Sequence, residues 1–157
     1  MAVVYDARDV ARWFVAWANG FDEGAVTNLK LQKLLYYAQG TTLARTGGPL
    51  FRQQIEAWAH GPVVADVYHV YKKFGAGDIT LDDEIDWSVT DDATDELLAS
   101  VWRTYGGFSA WRLREMTHAE APWKSTFDPD RMNAVISQDV IREFFAELQG
   151  SSAGSRG

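Results

Sequence analysis

The 157-residue chain contains no cysteine. That excludes disulfides and thiolate zinc sites and makes a reducing cytoplasm the expected compartment. Histidine is scarce: His60, His69 and His118 are the three, and no His-x-x-x-His pair occurs. A metal site generally needs three or four convergent ligands, so neither a metal nor any other cofactor is expected. No apolar run approaches the roughly 18–20 residues that span a bilayer. The start, Met1-Ala2-Val3-Val4-Tyr5-Asp6, lacks the basic stretch and apolar core of a secretory signal. There is no Gly-x-Ser-x-Gly elbow and no Gly-x-x-x-x-Gly-Lys phosphate loop. His118-Ala119-Glu120 followed by Pro122 is similar to half of a zinc deaminase site, but the cysteine pair that completes such a site is missing. Thr117 and His118 are therefore read as capping a helix end or bonding to loop backbone. The chemistry of catalysis is thin throughout, and a non-enzymatic role is expected.

Positive charge is also short. Net charge is −7, the reverse of what displaces counterions from DNA or RNA, so direct nucleic-acid binding is not expected. Residues 76–96 carry nine acids and no Lys or Arg. Ile79, Leu81, Ile85, Trp87 and Val89 within that strip are expected to anchor it as a loop with short extended pieces. Such a strip is either a solvated face or a surface for a basic partner.

What the chain has in abundance is aromatic side chains: seven Trp, six Tyr and eight Phe. These supply either core or contact surface. Val10, Trp13, Phe14, Trp17 and Ala18 recur at helical spacing and predict a first helix from near Asp6 to Asn19-Gly20. Thr27 or Asn28 caps a second helix, with Leu31, Leu34, Leu35 and Ala38 as its apolar stripe and Lys30, Lys33 and Tyr37 on its flanks. Ile55–Trp58 reads as a short extended piece. Gly61-Pro62 reads as the start of a third helix carrying Val64, Val67, Tyr68 and Tyr71 and closed by Gly75. A fourth helix is expected over Asp91–Tyr105. A short fifth follows Ser109 with Leu113 and Met116, and a loop runs through Pro122 and Asp128-Pro129. The last helix starts at Ser137, with Ile136 stapled to Ile141 and Val140, Phe144, Phe145 and Leu148 facing the core. The expected fold is mainly α: a single-domain irregular bundle of about six helices over residues 1–149, with at most short extended segments, and a disordered tail over 150–157.

Trp58-Ala59-His60-Gly61-Pro62-Val63 is the densest local signal. Trp58 under a Gly-Pro corner, with His60 as a polar handle, makes either a buttressed turn or a contact site. Tyr36, Tyr37, Tyr68 and Tyr71 make either a core stripe or an interface ridge.

Several segments, in order, resemble one family: Thr27–Gly40 with Lys30, Lys33, Tyr36 and Tyr37; Pro49-Leu50-Phe51; Ile55–Val64 leading to Val67-Tyr68; Leu113–His118; and Glu120-Ala121-Pro122-Trp123. Over about residues 5–148 the chain resembles the Panacea domain, also called the SocA-like antitoxin domain. The resemblance implies a mainly helical bacterial or phage domain, associated with mobile genetic elements. Its role would be that of an antitoxin in a two-gene toxin–antitoxin system, neutralising a cognate toxin by direct protein contact. An alternative implied by some members is an adaptor that delivers a toxin to a protease. A hydrolase or transferase using His60 or His118 with a carboxylate is the enzymatic alternative. Lys30, Lys33, Tyr37, His60, Tyr68 and His118 are the candidate partner contacts. Trp58, Gly61, Pro62, Thr117, Pro122 and Trp123 are expected to hold the motif together.

Overall fold

A computed structural model describes residues 3–21 and 25–154. Among the described residues there are seven α-helices, a three-stranded sheet and two 3-10 turns (Lys72–Phe74 and Trp87–Val89): α1 (Ala7–Phe21), α2 (Asn28–Thr46), β1 (Glu56–Trp58), β2 (Gly61–Val63), α3 (Ala65–Tyr71), α4 (Asp92–Tyr105), α5 (Ala110–His118), α6 (Ala121–Lys124), β3 (Ala134–Val135) and α7 (Gln138–Gly154). The fold is mainly α, as expected, with one helix more than the sequence reading. The addition is α6, where a loop is expected; Pro122 sits in its first turn, where a missing N–H is harmless.

α2 is the central helix. Thr27 caps it, its hydroxyl accepting from Lys30 N at 3.3 Å, and Gly47 ends it at φ +83°. The expected single apolar stripe is a correction: residues Leu31 through Leu43 are buried all round, Lys33, Tyr36 and Tyr37 included. α1, α3, α4, α5 and α7 pack around it, so polar side chains on every face of α2 must find partners inside the protein. α7 packs close against α2 at Gly40, where an added Cβ would meet the Phe145 ring at 2.1 Å.

α1 buries Val10, Trp13, Phe14 and Ala18 as its periodicity requires. Asn19-Gly20 does not stop it; the helix runs on to Phe21. Trp13 stacks on Trp17 at 4.8 Å, and its indole N–H donates to Asp95 at the start of α4. The sheet order is β2-β1-β3, all antiparallel. Gly61-Pro62 is thus a strand start, not a helix start. Trp58 pairs with Gly61 across a two-residue turn, and Pro62 lies on an edge strand, which tolerates its missing donor.

Ile79 is buried and its N–H donates to Val26 O at 2.8 Å, fixing one end of the acidic strip. Trp87, 38% exposed, anchors the strip edge-on against Trp13 and Trp17 at 6.0 and 6.4 Å, whereas Val89, also expected as an anchor, stands 47% exposed. Ser137 caps α7 through Asp139 N, with Ile136 and Ile141 both buried. Leu148 is 39% exposed rather than core-facing. Helix continues through Gly154 where a tail is expected from residue 150: Gly150 costs a helix only ~1 kcal/mol, and the Ser and Ala that follow are compatible with it. Residues 155–157 of the expected tail lie outside the described residues. Among the described residues, no helix is long and apolar enough to cross a membrane.

Candidate functional site

The motif segments converge on two buried polar contacts. The first is built on Lys33. It projects from the middle of α2 with no solvent exposure, and its ammonium donates to Pro62 O at 3.1 Å. Gly61 lies against the lysine stem. An added Cβ there would fall 2.6 Å from Lys33 Cε and 3.0 Å from Thr117 Oγ1, and its φ of +114° is one that side chains avoid. α2, the β1–β2 hairpin and α5 therefore meet at one point. Burial, seconded by the positive charge of Arg114, pulls Lys33 down to about 7.

The second contact is built on Glu120, at the start of α6. Tyr36 and Tyr37 donate to its two carboxylate oxygens at 3.0 and 2.9 Å. Tyr105 of α4 stacks on Tyr37 at 3.9 Å. Burial pushes the Glu120 carboxyl up to about 7, against the lowering effect of the two phenol hydrogen bonds. Burial and then the charge of Glu120 raise both tyrosines above their ordinary range. The carboxylate links the two central tyrosines of α2 to α6. Sequence reading names Tyr36, Tyr37 and Glu120 but does not join them, since they are over 80 residues apart.

Between these contacts runs an aromatic seam. His118 stacks on Trp123 at 3.9 Å, and Trp123 stacks on Phe127 at 4.7 Å. The Trp123 indole donates to Trp58 O at 2.7 Å, tying α6 to the hairpin. Thr117 donates to Arg114 O within α5, and Pro122 is buried. His118 Nε2 is buried without a hydrogen-bond partner. Burial first, then the charges of Arg114 and Lys33, hold His118 below its usual value.

Outside the seam lies a groove of about 240 Å³ whose lining includes Asn28, Gln32, Trp58, His60, Tyr68 and Lys72. Trp58 meets Tyr68 edge-on at 4.9 Å. His60 is exposed and Tyr68 half-buried. Of the six candidate contacts, then, His60 and Tyr68 are brought together at this groove. Lys33 and Tyr37 belong to the interior junction, and His118, half-buried, lies at its edge against Trp123. Lys30 lies apart, its ammonium donating to Gly106 O at 2.6 Å. Trp58, Gly61, Pro62, Thr117, Pro122 and Trp123 all lie in the seam or the hairpin it holds.

Comparison with known proteins gives this arrangement a family. Residues 31–124 match the profile of "Antitoxin SocA-like, Panacea domain". The chain belongs to this family. The matched span runs from the core of α2 to the end of α6 and so encloses Lys33, the hairpin, α5 and Glu120. Within the curated proteins, this Panacea domain is 43% identical over 70 residues to Antitoxin SocA of Caulobacter vibrioides, an alignment covering 45% of this chain and 37% of that protein. The chain thus spans little more than a third of the relative it matches. No solved structure matches the chain.

Proposed function

We propose that this Panacea domain is an antitoxin that neutralises a cognate toxin by direct protein contact and without chemistry of its own. The observation that carries the reading is the family match, taken with where the motif side chains point. Lys33, Tyr36, Tyr37 and Trp123 all bond to the protein's own groups, and Glu120 accepts two of those bonds. A motif committed to internal contacts maintains a scaffold, and partner choice falls to the surface laid over it. Covering a toxin's active site takes an interface of roughly 1,600 Å² in total, and the affinity must exceed the hold of the toxin's own substrate. His60, Tyr68 and His118 remain the candidate contacts of the original six, while Lys30 is committed to Gly106 O. Lys33 and Tyr37 support them from inside.

The test is growth rescue. Induced expression of the gene adjacent to this one arrests growth, and co-expression of this chain restores it, with the two proteins co-purifying. Rescue without a complex contradicts the reading. So does turnover of a small molecule by the purified chain that disappears when His60 or His118 is replaced.

A further inference from the structure

Charge is segregated along this chain. Residues 97–114 hold Arg103, Arg112 and Arg114 and no Asp or Glu, in a protein of net charge −7; Glu115 follows and pairs with Arg112 at 3.5 Å, which leaves the corner with a positive excess of two rather than three. They form most of α4, the turn through Gly106-Gly107, and the start of α5. The corner is held from beneath. Lys30 donates to Gly106 O and lies 5.4 Å over the Trp102 ring. Gly106 N donates to Trp102 O at 2.7 Å and Phe108 N to Tyr105 O at 3.1 Å. Ser109 caps α5 by accepting from Arg112 N.

On the outside of this braced turn stand Phe108, 39% exposed, and Trp111, 61% exposed and the most open large hydrophobic side chain among the described residues. The Arg114 guanidinium sits 4.7 Å over the Trp111 ring, a cation–π contact that restricts the indole. Tryptophan and arginine are the commonest anchors of protein interfaces, and an anchor already held in place loses less freedom on binding. The sequence reading passes over this corner because Trp111 lies off the apolar stripe set by Leu113 and Met116.

We propose that the α4–α5 corner is the docking face for an acidic surface of the toxin, with Trp111 as anchor, Arg103 and Arg112 as its charged flank, and Lys30 as the positioning residue under the turn. This rests on the antitoxin reading. The cationic face of an otherwise acidic protein attracts carboxylates over about a Debye length. Overall negative charge opposes nucleic acid as the occupant. A second copy offers its acidic strip, but two different patches meeting head to tail build open chains rather than a closed pair.

The test uses the full chain, the purified product of the adjacent gene, and the variants W111A and R112E, with the equally exposed M132A as control. Far-UV circular dichroism and Tm verify that each variant is folded. W111A is expected to weaken binding ~30-fold or more and to abolish rescue; R112E is expected to weaken it and flatten its salt dependence, while M132A matches the wild type. Wild-type binding retained within threefold in both variants overturns the corner and leaves the antitoxin reading standing. A wild type that neither binds nor rescues overturns both. Salt-sensitive self-association abolished by W111A, or single-stranded DNA binding abolished by R112E, assigns the corner to another occupant and overturns the toxin proposal.

Discussion

Replacing Gly61 with alanine tests the junction at its tightest point. The residue sits at φ +114°, and a Cβ there would lie 2.6 Å from Lys33 Cε, 3.0 Å from Thr117 Oγ1 and 3.2 Å from Lys33 Nζ. The lysine cannot swing clear, because it is wholly buried and its ammonium is bonded to Pro62 O. Backbone strain of ~1–3 kcal/mol and crowding of ~1–3 kcal/mol together give G61A a loss of about 2–6 kcal/mol. Against a total stability of ~5–15 kcal/mol, that is a large fraction. Urea denaturation measures it as a lower midpoint at unchanged slope. The crowding part depends on Lys33, so a K33A/G61A double variant is expected to lose less than the sum of its singles. A G61A loss below ~1 kcal/mol, or strict additivity of the pair, refutes the packing of the hairpin onto Lys33.

Two further outcomes follow from the interior. Glu120 is raised to about 7 and Lys33 lowered to about 7, so the two act on stability in opposite senses. Glu120 contributes stability that is full below its unfolded value of 4.5 and is lost as pH rises through 7; Lys33 contributes stability that is full above 10.5 and is lost as pH falls through 7. His118, held low, opposes the Glu120 effect on the acid side, so each limb is read as a difference from a variant. Tm of the wild type relative to E120Q is expected to fall between pH 5 and 7.5, and relative to K33M to rise between pH 7 and 9; flat differences contradict the burial of these charges. Separately, G40A is expected to destabilise by ~1–3 kcal/mol despite alanine's better helix propensity, because its Cβ would enter the Phe145 ring. Partial recovery of Tm in G40A/F145L checks that contact.

The helices were readable where a cap and a 3.6-residue period agreed. Thr27, Ser109 and Ser137 all cap as their sequence contexts suggest, and Asp91, read as the first residue of the fourth helix, is its cap. The hairpin was not, because Gly-Pro is compatible with both a helix start and an edge strand. Only pairing of Trp58 with Gly61 and of Ala57 with Pro62 decides between them. The surface flanks assigned to α2 failed for a related reason. Lys33 and Tyr37 look amphipathic locally, but their partners, Pro62 and Glu120, arrive from distant segments. Periodicity describes one helix at a time; burial of a polar side chain depends on acceptors contributed by others. Trp111 is the converse case, an aromatic that three-dimensional packing leaves open.

The most direct measurement is a titration of the toxin's activity with this purified chain. Occlusion by a folded partner predicts a linear fall to zero at a fixed molar equivalence, with both proteins recovered intact in one complex. Complete inactivation by a small fraction of an equivalent, leaving an altered toxin and a free, reusable chain, contradicts it.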